Sequence, residues 1–274
     1  DSREISLLLK KYPDLFSQQS QNTDLPAMEP ETIVNLLQEK IRQDFPETPA
    51  VGFEIRTVHK SMEEFLSPAF YLTPPMDTGS PNVIYINNGR SISNLELFTT
   101  LAHEGFPGHL YQTVYFARQN PAHIRYLIDS GGYVEGWATY VEMISYQYAG
   151  LDKDLAKVLQ LNQSILLSLY ASMDMGIHYQ GWDASDVKNF LSDYGISNAS
   201  AANDTYEYIL GEPANYLKYY IGYLKFLDLQ KYAKKALSEN YTDRAFHEAV
   251  LRIGPAPFDI IKKYLLDYIP KSGK

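Results

Sequence analysis

In "LAHEGFPGHLYQ" (101–112), His103 and Glu104 stand side by side, and a second histidine, His109, follows six residues after the first. Two imidazoles and an adjacent carboxylate are the donor set of a hydrolytic zinc centre: the rings hold the metal, the carboxylate moves a proton. The familiar spacing on a continuous helix is H-E-x-x-H, in which the histidines lie about 400° apart and share a face. Six residues turn the chain by about 600°, which sends His109 to a different face from His103. Position 107 carries Pro107 instead of a histidine. Proline has no N–H, and its ring clashes with the carbonyl four residues back, here that of His103. Gly108 beside it accepts almost any backbone angle. The spacing therefore predicts that "GFPG" interrupts or bulges the helix and lets His109 swing back toward His103. One unbroken helix over 95–116 would exclude His109 as a ligand.

A third ligand has to come from a neighbouring element. Glu135, in "YVEGWATYVE", lies 26 residues beyond His109, and Gly136 next to it permits close approach of two helices. Glu142, seven residues on and on the same face, competes with it. Glu135 is preferred because an acid flanked by Gly136 and Trp137 is an odd choice for a solvated surface. The expected cofactor is one Zn²⁺ ion held by His103, His109 and Glu135, with Glu104 as general acid/base. His59, His123 and His247 are assigned to structure, and Asp174 to orienting a partner group.

The elements around these residues read as mostly α. Residues 1–50 predict two helices, the second with Pro30 in its first turn. "VGFEIRTVHK" (51–60) and "NVIYINNG" (82–89) have strand composition, separated by a Pro-, Gly- and Ser-rich segment expected to be loop. From Asn94 onward the pattern is helical, with Leu95, Phe98 and Leu101 on one face of the helix before the motif. Helices are expected over 131–150 and 151–181, then near 183–194, 202–211, 213–236, 242–252 and 256–268. The reading is one catalytic domain over 1–274: helices in 1–50, a small sheet and loop in 51–92, and a helical body from 93 on. Strands are too sparse for a parallel α/β fold.

Composition narrows the function classes. Net charge is −9 and no basic stripe is present, which disfavours nucleic acid as a partner. No stretch approaches the roughly 20 apolar residues of a membrane span. With no cysteines, disulfides, thiolate ligands and a cysteine nucleophile are excluded. Tyrosine is abundant, 23 against 12 phenylalanines, as suits polar-lined clefts as well as cores. The opening "DSREISLLLKKYPDLF" does not read as a signal peptide, and the missing initiator Met is compatible with an export signal having been removed.

These motifs also carry a resemblance. "LAHEGFPGHLYQ" resembles the H-E-x-x-P-G-H-x-x-Q signature of the bacterial domain-of-unknown-function family 885, which looks like a group of gluzincin-type zinc metallopeptidases. "PAFYLTPPMDTGSPNVIYIN", "EGWATYVE", "DMGIHYQGW", "GEPANYLKYYIG" and "FHEAVLRIGPAP" are similar to further blocks of that family. Ala214 and Asn215 depart from it, standing where Gly and Gln are usual. The resemblance implies His103, His109 and Glu135 as ligands and Glu104 as acid/base. It implies His178 and Tyr219 near the substrate carbonyl. It also implies that the strand "NVIYIN", with Tyr85, holds an extended peptide as an edge strand. Family members are about twice this length, which implies a further N-terminal helical half. They are largely exported and some are lipid-anchored, pointing to an extracellular or envelope location, with the cytoplasm compatible with the acidic, cysteine-free chain. The expected reaction is zinc-dependent hydrolysis of a peptide or small amide. The alternatives are a non-catalytic peptide-binding lobe and a metal-dependent amidase or esterase.

Overall fold

The computed structural model describes residues 10–11, 25–47, 50–75 and 80–269. The first expected helix falls almost wholly outside them. The second is α1 (Pro30–Lys40), with Pro30 opening it and Ile33, Val34 and Leu37 buried. Its missing N–H is no loss in the first turn, where no intrahelical acceptor exists.

Three strands follow: β1 (Phe53–Thr57), β2 (Ala69–Leu72) and β3 (Asn82–Ile86). They form one sheet in the order β1-β3-β2, with β3 parallel to β1 and antiparallel to β2. Two expectations are corrected here. The segment assigned to loop contains β2, because "AFYL" finds a full register against Val83–Ile86; the surrounding prolines end the strand without preventing it. And β3 is the central strand, so the backbone around Tyr85 is paired on both sides and has no free edge.

The helical body begins with α2 (Asn94–Glu104), whose N-terminus is capped by the Ser93 hydroxyl accepting from Glu96 N–H at 3.1 Å. Leu95, Phe98 and Leu101 are all buried, as their spacing predicts. After α3 (His109–Ala117) come α4 (Gly131–Ser145), α5 (Lys153–Gln180), α6 (Ala184–Asp193) and α7 (Ala199–Gly211). The chain closes with α8 (Asn215–Leu237), α9 (Asp243–Ile253) and α10 (Phe258–Tyr268). The mostly α fold with a small sheet is as expected.

The main core joins α1–α4 and α8–α10 to the inner face of the sheet. Trp137 sits in its middle, edge-on to Phe45 and Phe226 and against His247. A smaller cluster, including Met173, Ile177, Val187 and Ile209, binds α5, α6 and α7 together. Helices α4 and α8 meet through glycines: a Cβ on Gly136 would come within 2.5 Å of the Gly222 backbone. Only bare backbone fits that crossing, as the Gly136 position led one to expect.

Gly136→Ala should therefore force α4 and α8 apart, costing about 1–3 kcal/mol. Gly52→Ala, where a Cβ meets nothing within 4 Å, should be nearly neutral. Thermal or urea unfolding of the two variants makes the comparison.

Candidate metal centre

The helix carrying His103 does stop. Helix α2 ends at Glu104, residues 105–108 form a turn, and His109 opens α3. Gly105 lies at φ −104°, ψ −98° and Gly108 at φ −80°, ψ −132°, neither helical. The Phe106–Pro107 peptide bond is cis. The turn is packed, not loose. Phe106 is fully buried between Phe53 of β1 and Tyr111 of α3. The Trp137 indole N–H donates to the Pro107 carbonyl at 2.9 Å. Gly108 is pressed so closely on the His103 carbonyl that a Cβ there would overlap it.

With the helix broken, the two imidazoles approach: their ring centroids are 4.8 Å apart. Donor atoms of His103, Glu104 and His109 lie within 4.8 Å of one another. From α4, Glu135 points one carboxylate oxygen at both rings, 3.6 Å from His103 Nε2 and 3.3 Å from His109 Nε2. That oxygen, Oε2, is buried and has no hydrogen-bond partner among the described residues. Glu142, two turns further along α4, instead accepts from His103 Nδ1 at 2.9 Å. Thus the two acids weighed for one role divide it: Glu135 faces the Nε2 atoms, and Glu142 orients the His103 ring from behind.

Glu104 is engaged differently again. Its Oε2 accepts the backbone N–H of Tyr71 on β2 at 2.8 Å. Tyr219 enters from α8, its ring stacked 6.0 Å from that of His103. Its helix is tied down by Asp174, a buried α5 carboxylate that accepts N–H bonds from Ala214 and Tyr216 at 2.9 and 3.0 Å. Asp174 thereby fixes the start of α8.

The sequence pattern of the family described as bacterial protein of unknown function (DUF885) matches residues 8–265. The chain belongs to the DUF885 family. No curated protein matches it. Among solved structures it is similar to a presumed lipoprotein from Colwellia psychrerythraea, at 20% identity and a TM-score of 0.79, over 97% of this chain and 51% of that one. It is also similar to a presumed lipoprotein of unknown function from Shewanella oneidensis, at 20% identity and a TM-score of 0.74, over 96% of this chain and 53% of that one. This DUF885 chain thus spans about half the length of those two proteins, and the likeness concerns the fold.

The other histidines and Tyr85 make the following contacts. His178 Nε2 donates to the Ile209 carbonyl at 2.9 Å and lies 3.8 Å from Asp174, in the α5–α7–α8 junction. Tyr85 stacks on Phe70 across the β3–β2 pair and lies in register with Arg56 of β1. His247 is buried, between the Asp44 carbonyl at Nδ1 and the Tyr140 hydroxyl at Nε2, and burial pushes its pKa down to about 4. Two contributors escaped the sequence reading. The Tyr71 N–H is a backbone group and leaves no mark in the sequence. Gln112, whose Nε2 lies 3.2 Å from His109 Nδ1, was legible in principle as the i+3 neighbour of His109 on α3.

Charge is concentrated here. Burial alone would lower the His103 pKa, but Glu135 and Glu142, with Glu104 nearby, overrule it and raise it to about 10. Burial would raise Glu135, yet His103 and His109 hold it well below the usual carboxylate range. The Tyr219 phenol is pushed well above its ordinary value, first by burial and then by Glu135 and Glu104, so it stays a protonated donor. Because the folded chain binds the His103 proton more tightly than the unfolded chain, that contribution is complete below about pH 6.5 and is lost as pH rises toward 10. Metal-free protein should therefore lose urea resistance between pH 7 and 10, and His103→Gln should flatten that slope.

Proposed function

We propose that this chain is a zinc-dependent hydrolase of the metallopeptidase type, with His103, His109 and Glu135 as the ligands. The observation that carries the reading is the convergence of two imidazole Nε2 atoms on a buried, unpartnered carboxylate oxygen. In the metal-free chain the positive charge facing that oxygen is the proton on His103; a bound cation between the rings and the carboxylate would take the place of that proton. The two-histidine, one-glutamate donor set suits zinc and leaves a position open. When bound, the ion acidifies a water molecule and polarises a carbonyl oxygen.

The chain's own groups supply the rest. Glu142 accepts from His103 Nδ1, which fixes the ring so that its Nε2 faces Glu135. Glu104 stands beside the ligands, and the Tyr71 N–H holds one of its oxygens in place. It takes the proton from the attacking water and delivers it to the leaving amine. Tyr219, whose phenol burial and the two glutamates favour in its protonated form, donates a hydrogen bond to the oxygen on which negative charge develops. Strand β2, at the sheet's edge and joined to Glu104 through Tyr71, takes over from β3 as the strand beside which an extended substrate lies. The substrate class is a peptide or a small amide. The description of both structural neighbours as presumed lipoproteins supports placement in the bacterial cell envelope.

Glu104→Ala should keep stoichiometric zinc and lose peptide hydrolysis, whereas Glu135→Gln should lose zinc. Tyr219→Phe should bind zinc normally and lower kcat by about 10²–10³, the usual effect of removing one oxyanion donor. Metal analysis beside cleavage of a peptide library reads all three. Undiminished turnover by Glu104→Ala would remove the proposed role, and metal-free protein that still cleaves would remove the zinc reading.

A further inference from the structure

Strand β2 lies at the edge of the sheet, and its hydrogen bonds fix which way its backbone groups point. The Pro68 carbonyl accepts from Asn87 N–H at 2.8 Å, so residue 68 faces β3. Bonded and non-bonded positions alternate along an antiparallel pair. Phe70, opposite Tyr85, and Leu72, opposite Val83, therefore turn their backbone groups toward β3 as well. Tyr71, opposite Ile84, turns its N–H and its carbonyl to the open side.

An outward N–H on an edge strand is the group to which an extended chain ordinarily offers a carbonyl. Here the protein fills that position itself. Glu104 Oε2 accepts from the Tyr71 N–H at 2.8 Å. Glu104 is the last residue of α2, and its carboxylate also lies within 4.8 Å of the donor atoms of His103 and His109. One side chain thus serves two places, the metal centre and the strand beside it. Its bond to Tyr71 is charge-assisted, so it competes strongly with any neutral carbonyl for the same N–H. The pair is not sealed in the core: Tyr71 and Glu104 are half-buried, and Leu72, next along the strand, is 55% exposed. An arriving peptide offsets the exchange with a second bond, from its own N–H to the outward Tyr71 carbonyl.

We infer that Glu104 occupies the substrate's place on β2, and that a substrate carbonyl taking the Tyr71 N–H releases Glu104 toward His103 and His109. The carbonyl that does this is not the one being cleaved, because the scissile carbonyl faces the metal centre and Tyr219. The substrate class follows. A peptide has a second carbonyl to offer, whereas a simple amide or ester has only the scissile one. The contact therefore selects peptides over one-carbonyl amides and esters. The consequence of releasing the carboxylate rests on the hydrolase reading, while the competition for the N–H does not.

Binding to the metal-free chain tests the competition, with the uncharged peptide N-acetyl-trialaninamide and the one-carbonyl amide isobutyranilide as probes. Glu104→Ala should bind the peptide about tenfold more tightly than the unsubstituted chain, the effect of one hydrogen bond no longer broken. It should bind the anilide no better. Tyr71→Pro removes the N–H at an edge position that tolerates proline, so in that background Glu104→Ala should gain nothing. Tyr71→Ala, which keeps the N–H, should keep the gain. The backbone amide proton of Tyr71 gives a reading with β2 unchanged. Its NMR signal should move upfield in Glu104→Ala, and saturating peptide should bring it to one position in both chains. Equal peptide affinity with and without Glu104, or a Tyr71 signal that Glu104→Ala leaves unmoved, would overturn the inference. Zinc-dependent cleavage of peptide and anilide at equal kcat/KM would overturn the selectivity and leave the hydrolase reading intact. The expected binding pattern with no cleavage by the zinc-loaded chain would keep the competition and remove the hydrolase reading.

Discussion

The contact between Gly108 and the carbonyl of His103 constrains the whole centre. Four residues separate Glu104 from His109, and the chain must turn back within them while remaining dry. Glycine at 108 lets the backbone lie directly against the preceding helix end, where any side chain would overlap the carbonyl. Proline at 107 has no N–H, so this buried turn has one donor fewer to satisfy. Its carbonyl still needs a partner in the core, and the Trp137 indole supplies one. The sheet contributes from the other side, through Phe53 against Phe106 and Ile84 against Gly105. The break is therefore held by both layers of the fold, which is why it can set two imidazoles at a fixed separation.

A second close approach sets the third and fourth sides of the site. Helix α4 carries Glu135 and Glu142, and α8 carries Tyr219. Their crossing at Gly136 and Gly222 brings the backbones into contact one residue from Glu135 and three from Tyr219. Asp174 then fixes the start of α8 by holding the N–H groups of Ala214 and Tyr216, with Ala214 in a left-handed conformation. Two glycines and one buried carboxylate thus set the Tyr219 ring beside His103. The departure of Ala214-Asn215 from the Gly-Gln that the family resemblance implies falls at this junction. The backbone at 214 keeps the positive φ that glycine would adopt readily, at φ 62°.

What was legible in the sequence follows from how local each signal is. The helix break was readable because Pro107-Gly108 acts on its own neighbours, and the helices from 131 onward because apolar spacing is a local periodicity. Glu135 and Glu142 were both readable as candidates, yet only packing could decide which faced Nε2 and which faced Nδ1. Strand β2 was hidden because its prolines dominate the local composition while its pairing partner lies eleven or more residues away. The central place of β3 was hidden for the same reason: strand order is a property of the sheet, not of any strand. His178 resembled a site residue by motif, but its direction along α5 is set by the α7 carbonyl it bonds.

The central claim is that the turn at 105–108 builds one metal site from His103, His109 and Glu135. Anomalous X-ray scattering at the zinc edge from crystals of the zinc-loaded chain tests it most directly. The account predicts a single strong peak about 2.0–2.2 Å from His103 Nε2, His109 Nε2 and a Glu135 carboxylate oxygen, with Glu142 still bonded to His103 Nδ1. A peak bound to other residues, or protein that crystallises from zinc with no peak between these three side chains, would contradict it.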